Sequence, residues 1–313
     1  MAHDLSIVIV SWNVRELLRR CLRSVLESLE SEGPRALAAE VLVVDNASRD
    51  GSAEMVRGEF AQARVLANAD NEGFTRANNQ GITASDGRHV LLLNPDTEVV
   101  DDALAVMVDY MEGHPEVGAL GPQLLYADGR VQSSRRRFPN LRTALVEGTF
   151  LQPWLGENAT LKRYYVLDRR DEERQEVDWL VGACLLLRRE AIDGVGLLDE
   201  RFFMYSEELD WCYRAKQQGW EVIYLPQARV VHHEGKSSEQ VLPLRHLHFQ
   251  RSKVLFFKKH HGRAPGEILR LYLLASYLWQ MVVEGLKWLV GHKRSLRQQR
   301  IGAYWQVLRS GLG

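Results

Sequence analysis

The sequence predicts an α/β fold, a mixed and mostly parallel sheet flanked by helices, with an amphipathic helical extension at its carboxyl end. Three observations predict it. Short runs of Val, Ile and Leu alternate with helically spaced apolar residues over the first hundred positions. Runs this continuous suit strands buried on both faces, as in a parallel sheet covered by helices. Each run then stops on polar or small residues, which gathers chemistry along the sheet edge where ligands of such folds bind.

In chain order, "LSIVIVS" (5–11) is a buried strand and "VRELLRRCLRSVLESL" (14–29) a helix. "EVLVVDNAS" (40–48) is the second strand, and "DGSAEMVRGEF" opens a helix behind Asp and Ser capping candidates. "ARVLAN" (63–68), "GFTRANNQGITAS" and "RHVLLLN" (88–94) read as strand, helix and strand. The strand ends carry Ser11-Trp12-Asn13, Asp45-Asn46, Asn68 with Asn71-Glu72-Gly73, and Asn94-Pro95-Asp96. Neither a Walker A sequence nor a GxGxxG loop follows any strand, so a nucleotide would bind by another arrangement. A helix opening after Gly73 can offer backbone N–H groups to a phosphate.

Beyond about residue 120 the alternation loosens. Arg135, Arg136 and Arg137 fall in a loop, either to meet a diphosphate or as a solvated basic stretch. A strand at 180–187 leads to an acidic loop, a helix from about 206, a strand at 221–225 and a loop with His232 and His233. "YSEELDWCYR" places Glu207, Glu208 and Asp210 at that helix's start. Acidic residues favour a first turn because they interact well with the helix dipole. That accounts for one or two acids, but not for their aromatic neighbours Phe202, Phe203, Tyr205, Trp211 and Tyr213. Such surroundings raise a carboxyl pKa towards a value useful to a general base. One imidazole beside Asp96 would complete a metal or diphosphate site; a capping histidine in a polar loop is the plainer reading.

Composition narrows the classes further. The net charge of −1 gives no global case for binding nucleic acid. Cys21, Cys184 and Cys212 form no CxxC and read as reduced thiols, and "MAHD" runs into the first strand without a signal-peptide pattern. The expectation is a cytoplasmic protein. "EILRLYLLASYLWQMVVEGLKWLVG" (267–291) is strongly apolar, yet Arg270, Tyr277, Gln280, Glu284 and Lys287 recur at helical spacing as a narrow polar stripe. Spanning lipid would cost roughly 2.5–3.5 kcal/mol for each central charge. A helix lying on the inner face of the membrane, or packing a homodimer, is favoured over a span, with packing on its own domain as the alternative. The basic "HKRSLRQQR" beyond it suits anionic headgroups.

Taken together, "SIVIVSWN", "VLVVDNAS", "NEGFTRANNQG", "LLLNPDTEV", "WLVGACLLLRREAIDGVGLLDERFFMYSEELDWCYR" and "VVHHEGKSS" resemble the family 2 glycosyltransferases of the GT-A fold. Within them the chain is most similar to bacterial rhamnosyltransferases that build cell-surface polysaccharide. The resemblance covers about residues 5–262. It implies a GT-A domain over 1–262, with a nucleotide-binding half (1–100) and an acceptor and catalytic half (101–262), followed by the segment 263–313.

Residue by residue, the resemblance implies that Asp45 bonds the base, that Ser11 and Asn13 line the same pocket, and that Asn71, Gly73 and Asn78 or Asn79 run under the ribose and diphosphate. Asn94-Pro95-Asp96 takes the place of the DXD motif, with Asn94 for the first Asp and Asp96 holding Mg²⁺ or Mn²⁺. His232, in an H-x-x-G-x-S pattern, is a further metal or diphosphate ligand. Glu207-Glu208 matches the Glu-Asp pair whose second member, Glu208, is the base, with Glu207 and Asp210 as orienting or structural acids, Asp210 on the acceptor and sugar side. Trp179 and Gly182 form the donor-sugar and acceptor floor. The implied reaction is inverting transfer of a sugar, rhamnose from dTDP-rhamnose or another dTDP- or UDP-sugar, to a growing glycan or lipid-linked saccharide. Two other classes stay open. A nucleotidyltransferase of related fold would carry a Gly-rich basic loop where "SWNVRELL" stands, and an inactive glycan-binding scaffold would show no metal effect on nucleotide binding.

Overall fold

A computed structural model describes residues 3–30, 36–152, 158–233, 242–291 and 293–313, with the side chains of 242–244 excepted. Twelve strands occur among them: β1 (Leu5–Ser11), β2 (Ala39–Asp45), β3 (Ala63–Ala67), β4 (His89–Leu93), β5 (Thr97–Val99), β6 (Val117–Leu125), β7 (Val131–Gln132), β8 (Arg135–Arg136), β9 (Gln175–Glu176), β10 (Trp179–Leu180), β11 (Cys184–Arg188) and β12 (Glu221–His232). The main sheet runs β3-β2-β1-β4-β11-β6-β12-β5. β1 to β4 are mutually parallel, β11 is antiparallel to β4 and β6, and β12 is parallel to β6. The expected mixed, mostly parallel sheet is therefore present, in the GT-A arrangement.

Every residue of β1 and β4 is buried, because helices cover both faces. Leu5, Ile7 and Ile9 join Leu18 and Leu22 of the helix Arg15–Glu30 in one core. On the other face Gly81 lets the helix Phe74–Thr83 come close to β1: a Cβ there would sit 2.2 Å from Val8 Cγ1. That approach brings the helix's amino end to the sheet edge where β1 and β2 stop.

Two strands differ from expectation. The run expected at 180–187 is broken into β10 and β11, because the backbone of 181–183 turns aside to bond with Ser134, Glu208 and Asn94. The strand expected at 221–225 continues to His232, with a register shift between Leu225 and Arg229. Pro226, which lacks an N–H, lies inside that shift.

The chain divides into two compact units: Met1–Phe138, Tyr165–Phe203 and Glu207–Ser237 form the first, and Pro139–Tyr164, Met204–Ser206 and Ser238–Gly313 the second. The sheet belongs to the first unit. The second is helical, built on Leu242–His260, Arg263–Leu289 and Arg294–Ser310. In the helix Arg263–Leu289 the expected polar stripe turns inward at Tyr277 and Glu284, is partly buried at Arg270 and Gln280, and is exposed at Lys287. Ser276, Tyr277 and Glu284 are buried beside Leu269 and Leu273, and Glu284 lies 2.7 Å from Arg297, which is itself buried. No helix among the described residues is long and apolar enough to cross a membrane.

Candidate active site

From β1 the chain steps outward through β2 and β3 and then returns as β4 on the other side of β1, so a crevice opens between β1 and β4. Ligands of open α/β sheets sit at such a reversal. Ser11 pairs with Asp45 in register at the ends of β1 and β2. Both are buried, and among the described residues neither Ser11 Oγ nor Asp45 Oδ1 has a hydrogen-bond partner. Asp45 Oδ2 accepts from the Ser48 N–H at 3.1 Å, which holds the carboxylate in one orientation. Buried polar atoms are almost always paired in native proteins, so two orphans on adjacent strand ends mark where a ligand supplies the missing bonds.

The surrounding loops are locked by asparagines. Asn13, in the left-handed region at φ 54°, accepts from the Arg49 N–H at 2.7 Å, and its own N–H donates to Ser48 Oγ at 3.0 Å. Asn46 donates to Asn71 Oδ1 (2.9 Å) and the Gly73 carbonyl (3.2 Å), and accepts from Asn68 and the Glu72 N–H. Asn46 is a hub that the sequence reading named only as a strand end. Its signal was the polar pair directly after an apolar run. Asn78 and Asn79 depart from expectation. Asn78 donates to the Phe74 carbonyl one turn earlier, and Asn79 exchanges bonds with the Leu198 backbone and Glu200. Both lie on the buried face of their helix and anchor it instead of facing a ligand.

Asn94-Pro95-Asp96-Thr97 is a tight turn closed by the Thr97 N–H on the Asn94 carbonyl at 3.3 Å, with Pro at the second position, where its fixed φ suits a turn. The long β12 returns beside it: His232 pairs with Thr97, and the His233 N–H donates to the Asp96 carbonyl at 2.9 Å. His232 Nε2 thus comes to 3.5 Å from Asp96 Oδ1, with both residues buried. On its other side His232 Nδ1 lies 2.8 Å from Gln132 Oε1. An Nδ1–H donated to that oxygen leaves the Nε2 lone pair aimed at the Asp96 side, the usual support of a metal-ligating histidine. The remainder of the H-x-x-G-x-S pattern, from Glu234 on, lies outside the described residues. Gln132, one hundred residues upstream of His232, carried no sequence signal.

Two hydrogen bonds connect this turn to the acidic helix. The Asn94 N–H donates to the Ala183 carbonyl at 2.9 Å, and the Gly182 N–H next to it faces Glu208 Oε1 at 3.4 Å. Glu208 Oε2 and Glu207 Oε2 are buried without partners. Burial raises both carboxyls above the usual range, Glu207 furthest because Glu208 also stands beside it; backbone N–H groups partly offset the rise at Glu208. Gly182 packs directly on Glu208, and Trp179 is buried with its indole N–H donating to the Arg137 carbonyl at 3.0 Å. Asp210, expected on the acceptor and sugar side as an orienting or structural acid, makes structural contacts. It is fully buried and accepts from Arg214 at 2.9 Å, whose other nitrogens hold the Val195 and Leu197 carbonyls. Arg135 is also internal, bonded to the Asp171 carboxylate and lying over the Tyr224 ring, so the three arginines do not form one solvated loop. Tyr205 and Ser206, just before the acidic helix, both hold positive φ, at 67° and 65°. Side chains pay steric strain there, which the fold must offset.

The crevice of this sheet thus has unpartnered polar atoms at the ends of β1 and β2, a buried Asp–His pair beyond β4 and, linked to that turn by backbone hydrogen bonds, two neighbouring carboxyls whose pKa is raised by burial. Residues 6–196 match glycosyl transferase family 2, and the chain belongs to that family. It is 32% identical over 280 residues to the N-acetylglucosaminyl-diphospho-decaprenol L-rhamnosyltransferase of Mycobacterium tuberculosis, covering 85% of this chain and 88% of that protein. Similarity to the rhamnosyltransferase WbbL of Escherichia coli K12 is 28% over 152 residues, 48% of this chain and 53% of that one. Among solved structures, a Pyrobaculum calidifontis mannosyltransferase in complex with GDP-Man and Mn²⁺ aligns with a TM-score of 0.58 and 17% identity, over 100% of this chain and 85% of its own. GalNAc-T7 with UDP, GalNAc and Mn²⁺ aligns at 0.58 and 18% identity over 82% of this chain, which spans about half (48%) of that chain. These two share the fold. The protein is a nucleotide-sugar-dependent glycosyltransferase.

Proposed function

We propose that this enzyme transfers a hexose, rhamnose from dTDP-rhamnose, with inversion to a growing cell-surface glycan on a lipid-linked acceptor. The observation that carries the reading is the hydrogen-bonded path from the Asn94–Asp96 turn through Ala183 and Gly182 to the carboxyl of Glu208. The donor class is supported by the 32% identity to a protein named as a rhamnosyltransferase acting on a diphospho-decaprenol saccharide.

In this reading Asp45 and Ser11 bond the base and Gly73 and Thr75 border the phosphates, where the buried Thr75 Oγ1 lacks a partner. Asp96 and His232 would hold a divalent ion, Mg²⁺ or Mn²⁺, through a carboxylate oxygen and an imidazole nitrogen. Such an ion supplies charge stabilisation to the departing nucleoside diphosphate. Glu208 takes the proton of the acceptor hydroxyl, and a single displacement by that hydroxyl inverts the anomeric centre. The reading further includes attachment at the inner face of the cell membrane.

The test is a thermal-shift panel of dTDP, UDP, GDP and their sugars with and without Mn²⁺. A ligand at about 100 times its Kd adds about 2.7 kcal/mol. Metal-dependent stabilisation confined to dTDP compounds, with release of dTDP on turnover, is expected. Stabilisation by GDP compounds alone, or release of pyrophosphate, would overturn the reading.

A further inference from the structure

The helix Arg263–Leu289 is amphipathic the wrong way round for a protein surrounded only by water. Its polar residues point into the helical unit: Ser276, Tyr277 and Glu284 are buried, Gln280 donates to the Ser276 carbonyl at 3.4 Å, and Arg270 reaches the Gly311 carbonyl at 3.0 Å. Its opposite face carries Ile268, Leu271, Leu278, Trp279, Val282 and Leu286, each about half exposed or more. With the exposed Ala275 between Leu271 and Leu278, these positions follow helical spacing along nearly the whole helix and form one continuous stripe. No charged residue interrupts it between Ala264 and Leu286 on the exposed side. Beyond the helix end, Val290 is 85% exposed and Trp305 56%. A soluble monomer rarely leaves so extended an apolar surface open.

Charge says what covers it. Residues 242–313 hold 13 Lys and Arg against two Glu, a formal +11 in a chain whose total is −1. From residue 285 to the carboxyl end there is no acidic residue at all. Lys293, Arg294 and Arg300 are exposed next to the apolar stripe's end, where the Arg294 guanidinium lies 5.4 Å over the Trp288 ring. Two copies meeting through this face would bring like charges together. An anionic bilayer instead offers hydrocarbon to the stripe and headgroup phosphates to the basic rim, and exposed Trp at the boundary suits the interfacial zone.

We propose that the exposed face of the helix Arg263–Leu289, with the basic rim of Lys293 and Arg294, is a docking surface for an anionic lipid bilayer, on which the helix lies flat. This deepens the lipid-linked-acceptor reading by naming the residues that meet the membrane.

The test uses the full chain and vesicles that contain neither acceptor nor nucleotide sugar, so its outcome is independent of the transfer reaction. Co-sedimentation is measured with phosphatidylcholine vesicles with and without about one-third phosphatidylglycerol. Binding to the anionic vesicles is expected to be at least ~10-fold stronger, and to fall ~10-fold or more in Leu271→Glu/Trp279→Glu and in Lys293→Glu/Arg294→Glu. Should the glutamates disturb folding, brominated lipid quenches the tryptophan fluorescence of the wild type, and Trp279→Phe loses part of that quenching while keeping an apolar surface. Wild-type protein that stays in the supernatant, or Leu271→Glu/Trp279→Glu that sediments like wild type, overturns the proposal. A wild-type dimer that ignores vesicles and dissociates on Leu271→Glu/Trp279→Glu assigns the face to a second copy instead.

Discussion

Glu207 and Glu208 are neighbours in sequence with unequal surroundings. Each has a buried oxygen without a partner among the described residues, but only Glu208 meets the Gly182 N–H. Burial raises both carboxyls, Glu207 furthest. As the base, Glu208 must be ionised, so kcat is expected to rise with pH along a limb displaced above the ordinary value of 4.5. Glu208→Gln should lower kcat by roughly 10²–10⁴-fold while donor affinity stays within about twofold. Unchanged turnover would move the base elsewhere. Stability runs the other way for Glu207. Because its native pKa is raised, the native state holds the proton more tightly than the unfolded chain does. Its contribution is complete below 4.5 and is lost as pH rises through the native value. Glu207→Gln should therefore melt higher than wild type at pH 8, with the gap closing towards pH 4.5; a gap that widens on acidification would contradict this.

The helix Phe74–Thr83 shows what an element does for the site. Gly81 seats it against Val8, and Gly73 opens it at φ 87°, where an added Cβ would lie 2.7 Å from the Phe203 ring and 2.9 Å from the Phe203 carbonyl oxygen. Both the left-handed backbone and a main-chain collision oppose a side chain there. Gly73→Ala should cost about 2–4 kcal/mol by urea titration and weaken nucleotide binding more than Gly58→Ala, whose Cβ meets nothing. Much of this level was legible in the sequence. Short Val-, Ile- and Leu-rich runs that alternate with helical patterns suit buried strands, so Ser11, Asp45 and Asp96 were already located at their ends. A structural role for Asp210 was legible too: Glu207 with Asp210 and Trp211 falls at helical spacing on the inward face, and Arg214 stands four residues beyond Asp210. The Asp96–His232 meeting was not. It depends on β12 running on past Pro226 for six more residues to pair with β5, and a proline inside the run hides that extension. Gln132 behind His232 depends on a two-residue strand, too short for any periodicity.

At the scale of the whole molecule, a net charge of −1 conceals a strong division, because a formal +11 resides in residues 242–313 alone. Within that helical unit the balance is held by very few acids, and Glu284 is the buried one. It lies 2.7 Å from Arg297, 3.5 Å from Lys287 and 3.7 Å from Arg300, and joins the helix Arg263–Leu289 to Arg294–Ser310. These cations hold its carboxyl below the usual range against the opposing effect of burial. Removing only the acid strands cations that the pair had neutralised, whereas removing both partners strands nothing. Glu284→Ala is therefore expected to cost about 3–5 kcal/mol, while Glu284→Met/Arg297→Met should be neutral or more stable by about 1–4 kcal/mol. With two compact units, a single melting temperature would mix their transitions, so amide hydrogen exchange on Arg294–Ser310 is the proper readout. Protection there should collapse in the single variant and return in the double. Equal loss in both would mean that the ion pair contributes attraction of its own beyond neutralising a buried charge.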